Sequence, residues 1–402
     1  MEEWKEYKLG EVCKSIVDGD HMPPPKSNGG IPFVTISNIV GNRLDFRNTY
    51  FVPQTYYDGL DDKRRPHVGD TLYSVVGTFG IPVYIKEEKP FVFQRHIAIL
   101  RPDESIIEPL FLFYTMLSPQ FYRKADVMAL GAVQRTISLT SLRNAKIQLP
   151  SPKIQSKIAD ILSSIDDKIE VNNRINDNLE QQAQALFKSW FVDFEPFRDQ
   201  PFEESELGLI PKGWRVDNIY QYIDVFYGAP YKSSLFNVGK KGLPLIRIRD
   251  LKNCTPQVYT PEILPTTEYI ETGDVVAGMD AEFVPHLWFG EKGVLNQRCC
   301  KFKSNIEDIS NYFILYFIKP QLEFVQSYKT GTTVSHLGKS DIDRFKFITP
   351  PLDVVLDFSK IVNPIKEHAV IIANESRRLS ELRDVLLPRL MSGIIKMEYI
   401  TM

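Results

Sequence analysis

Two stretches of the chain carry apolar residues in alternating steps of four and three, over more than four heptads. The first seam consists of Ile158, Leu162, Ile165, Ile169, Asn172, Asn176, Leu179, Ala183, Leu186 and Trp190. The second seam follows the same steps and consists of Phe358, Val362, Ile365, Ala369, Ile372, Ser376, Leu379, Arg383, Leu386 and Leu390. A 3.5-residue repeat is typical of coiled coils, so we predict two long helices, 151–194 and 351–395, that pair with each other. Two separate amphipathic helices, each lying on its own domain, are the alternative.

The segments ahead of the two helices have a different pattern. Short apolar runs at 31–36, 71–76 and 91–100 are separated by turn residues, which is typical of strands. Longer apolar runs near 109–117 and 311–318 indicate helices. We therefore predict two mixed, strand-rich domains of the α+β class, at 1–150 and 213–350.

Short phrases of the first half return in the second half in the same order, which indicates a tandem duplication. The repeated phrases are Gly30-Ile31-Pro32 and Gly242-Leu243-Pro244, Gly69-Asp70 and Gly273-Asp274, Gln94-Arg95 and Gln297-Arg298, and Gly131, Leu142, Lys146 and Pro150 with Gly331, Ile342, Lys346 and Pro350. Between the repeats, two prolines and an acidic run predict a linker at 195–212. Residues 396–402 are expected to form a tail.

A tandem repeat joined by paired helices predicts pseudo-two-fold symmetry, and this requires an antiparallel coiled coil. Asn172 and Asn176 would then meet Ile372 and Ser376 in a partly polar central layer that fixes the register. Trp190, Phe191 and Phe194 are expected to be exposed on the helix surface, where partner proteins would cover them.

Composition narrows the class of protein. With 43% hydrophobic and 25% charged residues, the chain has the make-up of a folded globular protein. The start is charged and lacks a signal-like apolar run, so a cytoplasmic location is expected. The net charge is −3, and residues 151–212 alone hold 7 basic and 12 acidic residues, a net of −5. A role in nucleic-acid binding must therefore depend on local patches.

The sequence lacks familiar catalytic and cofactor motifs. It has no phosphate-binding loop, no dinucleotide fingerprint and no His-Glu-x-x-His, and its six histidines and four cysteines lack metal-ligand spacing. We therefore assign no catalytic, cofactor-binding or metal-binding residue to this chain.

Polar and basic residues do occur on loops marked by Gly and Pro, at positions that we predict to be equivalent in the two repeats, with Ser27 matched to Ser233 and Thr78 to Asp280. These residue types reach base edges and phosphates, although solvated loop residues would look the same. The candidate DNA-binding residues are Lys26, Ser27, Thr78, Arg95, Gln134, Arg135, Lys232, Ser233, Met279, Asp280, Arg298, Thr332, Thr333 and His336.

The arrangement resembles the specificity subunit of type I restriction–modification systems over nearly the whole chain. Besides the repeated phrases, 206–214 (Glu-Leu-Gly-Leu-Ile-Pro-Lys-Gly-Trp) looks like the family's entry to the second domain. Residues 386–393 (Leu-Leu-Pro-Arg-Leu-Met-Ser-Gly) look like its closing phrase. The family's Glu-Gln pair at the helix start is reduced here to Gln155 and is absent from the second helix.

The resemblance implies a non-catalytic protein that reads a bipartite, asymmetric site on double-stranded DNA, one target-recognition domain per half-site. Its helices would dock two methyltransferase subunits that bind S-adenosylmethionine, and two restriction subunits that use ATP and magnesium. A two-lobed scaffold without sequence-specific DNA binding is the alternative. A fused nuclease and methyltransferase would need several hundred more residues.

Overall fold

The computed structural model describes residues 4–22, 24–131, 135–329 and 336–395. They form two compact units, one made of 1–167 with 379–402 and the other of 168–378. No helix among the described residues is both long and apolar enough to span a membrane.

The first unit contains eleven strands and five short helices among its described residues. The strands are β1 (Lys5–Lys8), β2 (Cys13–Asp18), β3 (Ile31–Val34), β4 (Ile39–Val40), β5 (Arg43–Leu44), β6 (Tyr50–Val52), β7 (Thr71–Ser74), β8 (Pro82–Tyr84), β9 (Val92–Phe93), β10 (Ile97–Pro102) and β11 (Lys146–Leu149). The helices are α1 (Leu9–Val12), α2 (Gln54–Asp58), α3 (Pro109–Leu117), α4 (Pro119–Met128) and α5 (Leu139–Asn144), with 3-10 turns at Ile36–Asn38 and Asp62–Arg64. The main sheets have the orders β2-β10-β7-β8 and β6-β3-β9.

The second unit repeats this plan. Its strands are β12 (Phe202–Ser205), β13 (Gly208–Pro211), β14 (Arg215–Asp217), β15 (Ile223–Tyr227), β16 (Leu243–Ile246), β17 (Tyr259–Thr260), β18 (Tyr269–Ile270), β19 (Val275–Gly278), β20 (Pro285–Leu287), β21 (Gly293–Leu295), β22 (Cys299–Ser304) and β23 (Phe347–Thr349). Its short helices are α7 (Ile248–Leu251), α8 (Asn311–Lys329) and α9 (Lys339–Ile342), with 3-10 turns at Glu195–Phe197, Ile219–Gln221 and Ser233–Leu235. The sheet orders are β15-β22-β19-β20 and β17-β16-β21-β18.

The matching strand orders confirm the predicted duplication. Strand β3 pairs in parallel with β9, as β16 does with β21, whereas the sheets β2-β10-β7-β8 and β15-β22-β19-β20 are antiparallel throughout. The repeated Gly-Asp phrase also has a structural reason. Gly69 and Gly273 adopt φ values of 93° and 99°, which favour glycine, and the next carboxylate accepts a bond from the backbone N–H three residues earlier.

The long helices are α6 (Pro152–Phe191) and α10 (Leu352–Met391), close to the predicted bounds. In the first unit, Ile158 and Leu162 of α6 share a core with Leu387 and Leu390 of α10. In the second unit, the rings of Phe191 and Phe358 lie 4.9 Å apart. Early residues of one helix thus meet late residues of the other within each unit, so the helices pack antiparallel. The predicted seam positions lie buried or half-buried.

The structure corrects three local expectations. Residues 91–100 form two strands, β9 and β10, because the loop Gln94–His96 interrupts the apolar run. The expected linker contains the 3-10 turn at Glu195–Phe197 and the hairpin β12–β13. The helix predicted to end near Ile318 continues to Lys329 through Pro320, whereas in the first repeat Ser118 caps a new helix by accepting the N–H of Phe121.

The aromatic end of α6 is not an exposed surface. Phe191 is buried, and Trp190 and Phe194 are half-buried in the core of the second unit. Trp214 and Phe197 cover this end, with their ring centroids 5.2 Å apart. The expectation that these three aromatics await a partner protein is therefore wrong, because the segment after the helix folds back over them.

Near the middle of the long helices, Asn172 has a hydrogen-bond partner that the heptad pattern did not predict. Asn172 is fully buried, and its Nδ2 donates to Glu375 Oε2 at 2.8 Å, next to the predicted Ser376. Lys168 Nζ lies 3.4 Å from the same carboxylate oxygen. Together these contacts hold the pKa of Glu375 below its usual range, with the Asn172 hydrogen bond as the largest cause. Within the described residues, Asn172 Oδ1 has no hydrogen-bond partner although it is buried.

We expect the substitution Asn172→Leu to raise the free energy of unfolding by about 1 kcal/mol. It removes a buried acceptor that lacks a donor, and this gain exceeds the loss of the bond to Glu375, because that carboxylate is 46% exposed and keeps Lys168 and water as partners. Asn173→Leu, on the exposed side of the same helix, should change it by less than about 0.5 kcal/mol. Urea unfolding of the full chain measures both. A loss of stability in Asn172→Leu would contradict this account.

Candidate nucleic-acid interface

Three loops meet at one end of the four-stranded sheet in the first unit. They follow β7, precede β10 and precede α5. The Val75 N–H donates to the His96 carbonyl at 2.9 Å, and the Ile137 N–H donates to the Val75 carbonyl at 2.9 Å. Val76 also forms a bridge with Thr136. Segments distant in sequence are thus brought together by the backbone alone.

The first unit exposes several predicted side chains on and beside these loops. Thr78 and Arg95 are exposed, and the Arg95 N–H donates to the Asp20 carbonyl at 3.0 Å. Lys26 is exposed with Nζ 5.0 Å from the centre of the Tyr50 ring. Ser27 is half-buried, and its Oγ donates to the Gly29 carbonyl at 2.6 Å. Apart from Ser27, these side chains are available to a ligand.

Arg135 also makes contacts within its own unit, with Phe79 and Asp126. Its guanidinium stacks 4.9 Å from the centre of the Phe79 ring, and Nη1 donates to Asp126 Oδ1 at 2.6 Å. Nη2 donates to the Asp126 carbonyl, where α4 ends. The cation thus caps the C-terminus of that helix, where positive charge is favourable. It holds the loop in place and leaves less of the guanidinium for DNA.

The equivalent loops of the second unit carry a charged cluster. Arg298 Nη1 donates to Asp280 Oδ2, and His336 Nδ1 lies 2.6 Å from Asp280 Oδ1. Asp280 and His336 also form a backbone bridge. Burial of Asp280 raises the pKa of its carboxyl, but the hydrogen bonds from His336 and Arg298 outweigh burial and hold that pKa below its usual range. The structure therefore joins three of the predicted site residues.

The remaining candidates of the second unit differ in exposure. Met279 is only 6% exposed and belongs to the core, so its side chain cannot reach a DNA groove from this position. Its backbone instead connects the loops, since its N–H donates to the Arg298 carbonyl at 2.8 Å and its carbonyl accepts the Leu337 N–H at 2.7 Å. Lys232 and Ser233 are exposed at a 3-10 turn. Gln134, Thr332 and Thr333 lie outside the described residues.

The hydrogen bonds correct the predicted matching of the loops. Arg95 and Gln297 make the same backbone bond, so His96 is the counterpart of Arg298. Bridges to β6 and β17 make Ser27 the counterpart of Asn237 rather than of Ser233. Bridges to Thr136 and His336 make Val76, not Thr78, the counterpart of Asp280. The matched Gln-Arg pairs in the two repeats are therefore one residue out of register.

Two residues at this edge were missed by the sequence analysis. His96 is half-buried, and burial followed by the neighbouring Arg95 lowers its pKa. Arg64 Nη1 lies 3.6 Å from Asp20 Oδ1, and the Asp20 carbonyl accepts the Arg95 N–H. The run Lys63-Arg64-Arg65 is a local excess of positive charge that could have identified Arg64.

The sequence also shows clear relatives. It matches twice, over residues 1–181 and 211–381, the family described as type I restriction modification DNA specificity domain. It is 25% identical to the type I restriction enzyme HindI specificity subunit of Haemophilus influenzae, over 98% of this chain and 100% of that protein. It is 29% identical to the MjaIX specificity subunit of Methanocaldococcus jannaschii, over 75% of this chain and 72% of that protein. A crystal structure of the S subunit of a type I restriction–modification system from M. genitalium shares the fold, with a TM-score of 0.53 and 14% identity over 96% of each chain.

Proposed function

Because the chain belongs to the family of type I restriction modification DNA specificity domains, we propose that it is the DNA sequence-recognition subunit of a type I restriction–modification complex. One observation carries the proposal. Each unit joins the same three loops at the same end of its antiparallel four-stranded sheet, through equivalent backbone bonds. The exposed side chains there include Thr78 and Arg95 in one unit and Arg298 and His336 in the other. Such groups donate to base edges and phosphates.

The duplication suggests that each unit reads one half of a bipartite site. The side chains at equivalent backbone positions differ, with Val76, His96 and Thr136 in the first unit and Asp280, Arg298 and His336 in the second. Two different sets of donors and acceptors favour two different half-sites, and hence an asymmetric target.

Catalysis is proposed for partner subunits. Two methyltransferase subunits with S-adenosylmethionine would methylate adenine, and two restriction subunits with ATP and magnesium would translocate and cleave DNA. The long helices α6 and α10 are the proposed docking elements, because each exposes residues of mixed polarity along 40 residues.

Exchanging residues 1–150 for the recognition domain of another specificity subunit should change one half-site and leave the other unchanged. The graft should keep Tyr114, whose Oη donates to Asp166 at 2.8 Å, and Gln120, whose Nε2 donates to the Pro388 carbonyl at 2.9 Å. These bonds attach the domain to helix residues of its own unit. Sequencing of methylated adenines in cells that carry the full complex measures the target.

The converse exchange of residues 213–350 is the matched control and should alter the other half-site. A change of both half-sites in either variant would contradict independent reading by the two units. Binding to a cognate duplex should also weaken steeply with salt, because phosphate contacts release counterions. A parent complex without any preferred site would contradict the proposed function itself.

A further inference from the structure

We infer that Arg298 reads a guanine in the half-site of the second unit, and that Asp280 and His336 hold its guanidinium in the reading position. This inference rests on the proposed function and names the base and the residues concerned. No residue of the first unit is assigned the same role.

The backbone around Arg298 is fixed on both sides. Its carbonyl accepts the Met279 N–H at 2.8 Å, and its N–H donates to Asn296 Oδ1 at 3.2 Å. The side chain extends from this anchored position and is 64% exposed. An arginine on a fixed backbone loses less conformational entropy on binding than one on a free loop.

A second set of contacts holds the guanidinium. Asp280, whose side chain is 18% exposed, accepts one bond from Arg298 with Oδ2, while Oδ1 lies 2.6 Å from His336 Nδ1. Lys329 then holds His336, since Nζ donates to the His336 carbonyl and to Asp341 Oδ2, each at 2.7 Å. The carboxylate is thus occupied on both oxygens, and the arginine cannot rotate without breaking a charge-assisted bond.

The charges favour a base over a phosphate. Asp280 places a negative charge beside the guanidinium, which weakens the attraction of Arg298 for an anionic phosphate and repels that phosphate. Neutral acceptors on a base edge suffer little from this repulsion. In the major groove only guanine presents two adjacent acceptors, O6 and N7, that match two guanidinium N–H groups. Adenine replaces one acceptor with an amino group, which would face the donors of the arginine.

The first unit lacks this arrangement at the equivalent backbone positions. Val76 stands in place of Asp280, His96 in place of Arg298, and Thr136 in place of His336. The first unit therefore has neither the arginine nor the carboxylate that would orient it there.

The test is selection from a randomised duplex library by the full chain with its methyltransferase partner, followed by sequencing of the retained DNA. The exchange of residues 1–150 first shows which half-site belongs to the second unit. In Arg298→Gln, the preference for one G·C pair in that half should fall by about 5- to 150-fold, the equivalent of one lost bidentate pair. All other positions should keep their preference. Arg298→Lys should recover only part of it, because lysine lacks the planar fork.

Asp280→Asn keeps the arginine but removes its charged anchor, so the same G·C preference should weaken without a loss of affinity for random DNA. Lys292→Gln is the matched control, because it breaks a surface pair with Glu271 on the same unit and should change no base preference. Thermal unfolding of each variant shows that it is folded.

Three results would overturn the inference. The first is an unchanged base preference in Arg298→Gln, which would make the ion pair purely structural. The second is a uniform loss of affinity for all sequences with a salt slope reduced by about one, which would make Arg298 a phosphate contact. The third is a lost preference at a pair other than G·C. A parent complex that selects no bipartite site would instead refute the proposed function.

Discussion

Truncating the chain after Arg378 is expected to unfold the first unit, although its globular part ends more than 200 residues earlier. The missing segment supplies Leu387 and Leu390, which are 4% and 1% exposed in the core of that unit. Losing their burial alone costs about 3–6 kcal/mol. A domain has only about 5–15 kcal/mol of stability in total.

The same segment also carries a charge that the first unit needs. Arg383 Nη1 donates to Asp166 Oδ1 at 2.9 Å, and the Tyr114 hydroxyl donates to the other oxygen of that carboxylate. Burial of the Tyr114 hydroxyl, together with the charge and hydrogen bond of Asp166, raises its pKa. Without Arg383 the partly buried Asp166 would keep its charge without a counterion, which adds to the loss.

Hydrogen exchange resolved by mass spectrometry measures the effect, since peptides from β10 and α3 report on the first unit alone. In the truncated chain they should exchange as an unfolded segment. A finer comparison uses the double variant Leu387→Ala with Leu390→Ala. Each substitution should lower the free energy of unfolding of the first unit by about 2–5 kcal/mol. Its control is Leu382→Ala with Val385→Ala, since both residues are about half exposed on the same helix. Protection that survives truncation would show that the unit is complete without the end of the chain.

Replacing Phe358 with alanine should destabilise the second unit by about 3–5 kcal/mol. The side chain is fully buried, and its ring lies 4.9 Å from that of Phe191, 5.8 Å from that of Trp190 and 6.0 Å from that of Phe187. These rings come from the other long helix, so a cavity here weakens the pairing of the two helices within this unit as well as the core.

Ile361→Ala, one turn further along the same helix, is the control because that side chain is 45% exposed. This substitution should lower the free energy of unfolding of the second unit by less than about 0.5 kcal/mol. Urea unfolding followed by tryptophan fluorescence is suitable, because Trp190, Trp214 and Trp288 all lie in the second unit. Equal effects of the two substitutions would refute the idea that the aromatic cluster holds this end of the helices.

The strand registers of the two repeats could be predicted from the sequence, but identical residue pairs within the loops do not give the loop registers. Gly69-Asp70 and Gly273-Asp274 align correctly because the turn before β7 or β19 needs a positive φ at the glycine and a carboxylate that accepts the N–H three residues earlier. Loops have no such constraint. The shared letters of Gln94-Arg95 and Gln297-Arg298 therefore matched by chance, one residue away from the true counterparts. Alignment on the strands that follow, which begin at Ile97 and Cys299, would have avoided the error.

Burial of the helix ends was also beyond the sequence pattern. The heptad seam identifies which face of α6 packs against α10, but it does not report what covers the other faces. Trp190 is predicted to be a surface for partners because the segment that packs on it, which includes Phe197, contains prolines and an acidic run typical of a linker. Likewise, Glu375 could not be foreseen as the partner of Asn172, since a glutamate beside the seam normally points to water.

The packing of Trp4 against Gly393 bears on the order in which the protein is made. An added Cβ at Gly393 would lie 3.1 Å from the Trp4 indole nitrogen, so the two chain ends fit closely within one unit. Residues 168–378 must be synthesised between the two parts of that unit, which takes about 10–40 s at typical ribosomal rates. Until residues 379–395 have been synthesised, the apolar sites that Leu387 and Leu390 fill in the core of the first unit remain exposed on the nascent chain. The first unit to emerge from the ribosome is therefore the last to be completed, and during synthesis it offers an apolar surface to chaperones.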